Sequence, residues 1–422
     1  MSGVSQSPPL LRAALGFAFA ASAAGFLSIA VSHACLAIAL ALAIAAKMRW
    51  QVPSVGLPIA LFLGWTVVSA LASGEPAAAA PQFKKFLVFA FLPLIFSLFR
   101  SRRDGRRLLE AWYVTAGIAA LTSFFQFFAR WREAGALGED FNAYYAPQRI
   151  TGLFSHWMTF SQAALLALLA LVCFLLFGPR ERPGRKIWFT VAAVLGASLL
   201  LSYTRIVWLA SALIGGYLVA CRRPRLLWLA PVGLLVGGML APESIERRVA
   251  SFGDLSAYQS RLIMWRTGWN MIQDRPVFGV GPERVGPLFN DYQPQDIVER
   301  PDAYYGHLHN IYVHFAAERG LPALVLLLWI LGQALWDLGR ALRRLPPGPS
   351  DERAVLQAGI SGTLAVMIVG CADVTLGDSE VLGAYLALTA LAYSATERVP
   401  SRNSGLNSGR WTNSASKASA KP

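Results

Sequence analysis

The chain has 422 residues, 55% of them hydrophobic and only 15% charged, with a formal net charge of +14. Soluble domains carry about 25% charged residues, so this composition excludes an ordinary soluble fold. The positive balance does not point to nucleic acid, because Lys and Arg accumulate in the cytoplasmic loops of membrane proteins for topological reasons. The apolar residues fall in blocks of about 16 to 22, the length that crosses a bilayer core as helix. The first block, 13–31, has no convincing cleavage site and runs almost straight into the next, so it reads as a membrane span and not as a signal peptide. Twelve spans are predicted, at about 13–31, 33–47, 55–73, 86–99, 108–129, 157–177, 187–202, 205–220, 226–241, 321–338, 354–372 and 380–397. The expected fold class is an all-α polytopic membrane protein with about 12 transmembrane helices, embedded among membrane lipids, with one large, partly helical periplasmic loop.

Charge sets the expected orientation. With the N-terminus cytoplasmic, the inner loops collect Arg12, Lys47, Arg49, the cations at 100–107, 180–186, 222–225 and 340–353, and the basic tail. Both termini are then cytoplasmic, the membrane is an inner membrane, and the stretch 242–308 faces the periplasm. The expected organisation is helices one to nine over 1–241, a periplasmic segment over 242–320, the last three helices over 321–398, and a tail over 399–422. The tail, rich in Ser, Asn, Lys and Arg, is expected to be disordered. Within the periplasmic segment, Leu262, Trp265, Trp269 and Ile272 recur at near-helical spacing. Arg275-Pro276 ends that helix, Phe278-Gly279-Val280-Gly281 forms a turn-rich hinge, and an irregular polar stretch follows with Phe289, Tyr292, Tyr304 and Tyr305. Cys35, Cys173, Cys221 and Cys371 lie within or at the ends of apolar blocks without metal-ligand spacing, so neither disulfides nor zinc are expected.

The residues that carry chemistry are cations and histidines on the outer side. Arg205 sits between two apolar blocks at the expected outer boundary, where an ionisable side chain either snorkels or binds an anion. Lys84 and Lys85 precede the fourth predicted span and Arg149 the sixth, which suits a phosphate or pyrophosphate headgroup. Arg261 and Arg266, about 140° apart on a helical wheel, cannot both point to one spot, and Arg261 is favoured as the inward one. Of five histidines, His307, His309 and His314 cluster. His309 and His314 make a poor pair on one helix, and no HExxH pattern is present, so no metal is expected. One histidine as general base is more economical. His309, followed by Asn310 at a helix N-terminus, is favoured over its rival His307, because the helix dipole and nearby arginines disfavour imidazolium. Glu318-Arg319-Gly320-Leu321-Pro322 is expected to mark the membrane surface. His309 would stand roughly 15 Å above it on a continuous helix, and nearer if Gly320 and Pro322 bend the segment. The imidazole and the guanidinium groups are expected to share one outward-opening pocket.

These residues resemble the bacterial O-antigen ligases, relatives of the O-antigen polymerases and protein O-oligosaccharyltransferases. The family pattern is His, then Asn, Ser or Gln, nine residues, Gly, two residues, then Gly, Thr or Tyr. Here His309-Asn310 is followed by nine residues and Gly320, with Ala323 departing from the last position. Arg205-Ile206-Val207-Trp208-Leu209 meets a second pattern, Arg, three residues, Leu. Ser260-Arg261 followed by Phe278-Gly279-Val280-Gly281 meets a third. The resemblance implies a fold like the helical glycosyltransferases of the C type. It implies an inverting, metal-independent transfer without a cofactor, from a glycan on undecaprenyl pyrophosphate to a sugar hydroxyl of lipid A–core. His309 would be the base, with Arg205 and Arg261 on the pyrophosphate. Lys84, Lys85, Arg149, Arg266, His307 and Asn310 are the candidate substrate-binding residues around them. The predicted outer side has no Asp-x-Asp pair of the kind that holds a cation with a nucleotide sugar.

Three other readings compete. A polymerase or a protein O-oligosaccharyltransferase would use the same donor with a different acceptor. A lipid-linked glycan flippase would more often place ionisable residues at mid-membrane and show inverted repeats, and no internal repeat is found. A membrane scaffold explains neither Arg205 nor the histidine cluster.

Overall fold

The computed structural model describes residues 8–181, 184–229, 258–297 and 305–399. The predicted span at 226–241 (beyond residue 229), Tyr304 and the tail from residue 400 lie outside the described residues. All regular structure among those described is helical. In chain order the helices are α1 (Pro9–Ala24), α2 (Ile29–Ala45), α3 (Gly56–Ala72), α4 (Pro76–Leu98), α5 (Arg102–Leu137), α6 (Trp157–Phe177), α7 (Arg185–Leu201), α8 (Arg205–Arg222), α9 (Gln259–Asp274), α10 (Ile311–Arg344), α11 (Asp351–Gly370) and α12 (Ser379–Thr396). Six of these, α4, α5, α6, α8, α10 and α11, are long and apolar enough to cross a membrane, and the chain is an all-α polytopic membrane protein. α1, α2 and α3 are apolar but have only 16, 17 and 17 residues, shorter than the roughly 20 that span a bilayer core.

Several boundaries differ from the sequence expectation: α5 and α10 run beyond the predicted 108–129 and 321–338 at both ends, and two others have a local cause. The first two helices part at 25–28, not at 31–33, because Ser28 turns extended and its Oγ accepts the N–H of Val31, the start signal of α2. Hydropathy does not register a serine cap inside an apolar run. The fourth helix begins at Pro76, so Lys84 and Lys85 sit within it and not before it. Pro76, Pro81 and Pro93 remove backbone donors along α4, which alternates between 3₁₀ and α geometry.

α6 and α11 form the centre. α11 packs on α6, α8, α10 and α12, and α10 packs on α3, α9 and α11. One continuous apolar core runs through them, filled by Leu166, Leu171, Leu356, Val366, Leu386 and Leu391. A smaller cluster under α9 gathers Met264, Met271, Val280, Val285, Phe289 and Leu308.

The element that positions the site is the break in α10. Gly320 has φ 81° and ψ 169°, and Pro322 follows it inside the helix. The carbonyls of Ala317, Glu318 and Arg319 would ordinarily accept the N–H groups of residues 321, 322 and 323. Pro322 has none to give, and Leu321 donates instead to Pro276 O at 2.8 Å. The hinge loop supplies substitutes. Val280 N–H donates to Ala317 O and Gly281 N–H to Glu318 O, both at 2.9 Å, and the indole N–H of Trp65 on α3 donates to Arg319 O at 2.8 Å. Each freed carbonyl is thereby satisfied, as buried backbone must be. The loop comes this close because Gly279 carries no side chain: a Cβ there would lie 2.4 Å from the Glu318 carbonyl carbon. Ser69 Oγ donates to Phe278 O at 2.7 Å, and the Phe278 ring stacks on Trp65 at 5.6 Å.

α9 forms where periodicity predicts it, but its buried face is different. Ile263, Met264, Thr267, Gly268 and Met271 face inward, whereas Leu262 and Trp269 are exposed. The inner ridge is chosen by Gly268, over which Leu308 and Val313 lie so close that a Cβ would meet them at 2.5 and 2.7 Å.

The break makes Gly320 the least replaceable glycine of α10: a Cβ there would stand 1.9 Å from Val277 O at a backbone angle that favours glycine. Gly320→Ala is expected to destabilise by at least about 1–3 kcal/mol, read as a lowered melting temperature in detergent. An unchanged melting temperature would contradict the account of the break.

Candidate functional site

A cavity of about 860 Å³ opens between α3, α4, the start of α6, the hinge loop, α10 and the turn that joins α11 to α12. One part of its wall is apolar, with Ile59, Phe62, Phe89, Leu327, Ile330 and Leu386. The other is polar, with Lys85, Arg149, His156, His307, His309, Arg319 and Asp373.

His309 occupies a constrained position. Its φ is 43°, a conformation that non-glycine residues rarely adopt. Such strain persists only where neighbours over-determine it. Leu308 before it is fully buried in the small core. Asn310 after it caps α10: its Oδ1 accepts the N–H groups of Tyr312 and Val313 at 3.0 and 3.1 Å, and its Nδ2 donates to Cys371 O at 3.1 Å. Asn310 is therefore committed to backbone and does not line the cavity. That corrects the expectation that it binds substrate and explains why an Asn suits the position.

The partner of His309 is a residue that sequence reading missed. Asp373, in the turn between α11 and α12, is buried, and its Oδ1 lies 3.2 Å from His309 Nδ1. Its Oδ2 accepts a hydrogen bond from Gln162 of α6. Burial pushes the Asp373 carboxyl up, but the hydrogen bond from His309, its electrostatic pull and the bond from Gln162 outweigh it and hold the group below its ordinary value. The carboxylate thus orients the ring so that, in neutral imidazole, Nδ1 carries the proton and Nε2 a lone pair. The same turn is pinned again by Thr159 Oγ1, which donates to Asp378 at 2.6 Å. The available signal was the stretch 371–378, which places two carboxylates in a short turn between two apolar helices.

His307 lies edge-on to His309, with ring centroids 4.2 Å apart. Both stand in the non-helical lead into α10. Helical spacing was therefore the wrong test for a metal set. The ligand atoms of His307, His309 and Asp373 lie within 4.8 Å of one another, and these three residues could hold a cation. Burial, followed by the charge of His309, depresses the pKa of His307 strongly, which keeps it uncharged.

The predicted cations divide. Lys85 and Arg149 line the cavity. Lys85 is 4.0 Å from Glu283, which Gln82 also contacts. Arg149 lies over the Trp157 ring at 4.7 Å, and its Nε donates to Ala146 O at 2.8 Å. Lys84 is exposed and outside the lining. Arg266 is exposed and makes a two-pronged ion pair with Asp296, at 2.9 and 2.8 Å, so α9 turns it away from the cavity. Arg261 is half-buried. Burial lowers its pKa, and its guanidinium feels the attraction of Asp373 and the repulsion of Arg205. Arg205 begins α8 and lies over the Tyr258 ring at 4.7 Å, next to the start of α9. Neither Arg205 nor Arg261 lines the cavity. The expected single pocket is corrected accordingly: Arg261 interacts electrostatically with Asp373 and with Arg205, while the cations in the wall are Lys85, Arg149 and Arg319.

Arg319 and Glu318, expected to mark the membrane surface, are buried within the protein, at 3% and 1% exposed. They pair with each other at 3.1 Å, and Glu318 Oε1 accepts the N–H of Glu283 at 2.7 Å. A buried ion pair is tolerated because each member is engaged locally, here by the hinge loop and by the Phe62 and Phe315 rings beneath Arg319.

A buried neutral His307 ties stability to pH. Below about 6.5 the unfolded chain takes up a proton that the folded site refuses, so stability falls as pH drops through that value. His156 contributes in the same direction. The melting temperature in detergent is expected to fall between about pH 7 and pH 5, and His307→Gln to shallow that slope. An unchanged slope in the variant would contradict the assignment.

Residues 191–328 match the family model for O-Antigen ligase. The matched segment contains Arg205, Arg261, His307, His309 and the break at Gly320, and it ends before Asp373. No curated protein matches the chain. Over residues 191–328 the chain is therefore similar to the O-antigen ligase family, and that segment is set in an all-helical membrane fold.

Proposed function

We propose that the protein transfers O-antigen glycan from undecaprenyl pyrophosphate to a sugar hydroxyl of lipid A–core, at the outer leaflet of the inner membrane and from the periplasmic side. The observation that carries this reading is the His309–Asp373 pair in a cavity with one polar and one apolar wall. The apolar wall suits a polyprenyl chain, and the polar wall suits a diphosphate and its first sugar.

In the reaction, Nε2 of His309 takes the proton of the acceptor hydroxyl as its oxygen attacks the anomeric carbon. Attack opposite the leaving diphosphate inverts the configuration. Asp373 holds the ring and favours the imidazolium that forms. Lys85 and Arg149 in the wall hold the diphosphate, and Arg261, with Arg205 as its neighbour, offsets its charge. No metal takes part in this scheme, because cations already neutralise the leaving group.

A polymerase or a protein O-oligosaccharyltransferase would use the same cavity and donor, so the acceptor decides among them. The test is transfer of labelled glycan by purified protein from a defined lipid diphosphate to lipid A–core, with excess chelator throughout. Transfer is expected to persist in chelator and to fall about 10²–10⁴-fold in His309→Ala. Asp373→Asn is expected to fall by a similar factor, about 10²–10⁴, with donor binding retained, because the ring loses its tautomer and orientation. Full activity of His309→Ala would remove the base. Loss in chelator, restored by a divalent ion, would assign His307, His309 and Asp373 to metal instead.

A further inference from the structure

The cavity holds another histidine that the reactive cluster does not include. His156 lines it and caps α6, where its Nδ1 accepts the N–H of Met158 at 3.2 Å. A ring nitrogen that accepts a backbone N–H carries no proton, so in the neutral ring the proton resides on Nε2. His309 has the opposite arrangement, with its Nδ1 facing the Asp373 carboxylate. One cavity therefore contains two imidazoles of opposite tautomer, one presenting a lone pair and the other an N–H. The His156 ring is held in place by Trp157, 4.0 Å away between centroids, on which Arg149 also rests. Burial, against the pull of Asp373 and with the repulsion of Arg149 and His309, lowers the pKa of His156.

We propose that His156 is a further substrate-contacting residue, whose Nε2–H donates a hydrogen bond to the glycosyl phosphate oxygen that leaves the anomeric carbon. This rests on the glycosyl-transfer reading above. The acceptor oxygen bonds to the anomeric carbon while its proton passes to His309 Nε2. The bond from that carbon to the phosphate oxygen breaks, and its electron pair stays on the oxygen as the polyprenyl diphosphate departs. His156 keeps its own proton and stabilises the charge that grows on the leaving oxygen. His309 afterwards releases the acquired proton to water.

Two substitutions separate this role from capping. Asn places its amide near Nδ1 and preserves the helix cap, whereas Gln places an N–H donor near Nε2 and loses the cap. His156→Asn is expected to keep the wild-type melting temperature but lower kcat for transfer about 10²–10³-fold. His156→Gln is expected to lose some thermal stability and retain most of the transfer. The reverse order, an active Asn variant and an impaired Gln variant, would overturn the proposal and leave a cap alone. Both variants are expected to keep the wild-type acid limb of the pH–rate profile. Its disappearance in His156→Asn would make His156 a proton-transfer group and overturn the donor role. Wild-type protein and His309→Ala are assayed in parallel. Wild-type protein without transfer would overturn the underlying reading and this proposal with it, whereas active wild type beside fully active His156→Asn overturns the proposal alone.

Discussion

The contact on which the site depends is the hydrogen bond between Asp373 and His309. It joins the lead into α10 to the turn between α11 and α12, two pieces of chain that come together only when the bundle is assembled. Gln162 extends the link to α6, and Asn310 adds a parallel tie through Cys371 O. Three helices thus meet at one carboxylate. Its burial would be unfavourable without partners, and each of its oxygens has one. The strained backbone of His309 is held by the same set of contacts, which places the imidazole where a chain free to relax would not put it.

The break in α10 supports this arrangement from the other side. A continuous helix through Gly320 would satisfy its own carbonyls and leave nothing for the hinge loop to bind. Because Pro322 and the positive φ of Gly320 free those carbonyls, the loop at 278–281 docks by backbone pairing. That docking brings Glu283 beside Lys85 and closes the wall around Glu318 and Arg319. The glycines of the hinge and of α10 are thus two halves of one joint, and the spacing between His309 and Gly320 sets the distance from reactive ring to joint.

Much of the fold was legible from residue order. Apolar block length located most of the helices, although α4 begins at Pro76 and α10 at Ile311, well before the predicted starts at 86 and 321, and Arg275-Pro276 ended α9 where expected. What hydropathy could not register was polar punctuation inside apolar runs, such as the cap at Ser28. Nor could it register a face chosen by a small residue, as at Gly268, where Leu262 and Trp269 of the apolar ridge are exposed. The histidine cluster, the inward preference of Arg261 over Arg266, and Lys85 and Arg149 as wall residues were readable from local pattern. Asp373 and His156 were not, since each acquires meaning from a partner far along the chain. The burial of Glu318 and Arg319 was not legible for the same reason, since it depends on a distant loop that covers them.

The central claim is that Asp373 fixes the His309 ring with its Nε2 lone pair turned to the cavity. The most direct measurement is nitrogen NMR of ¹⁵N-histidine-labelled protein in bilayers, with the His309 signals assigned by their loss in His309→Gln. The account predicts that the neutral His309 ring carries its proton on Nδ1. A ring protonated on Nε2 and bare at Nδ1 would contradict it.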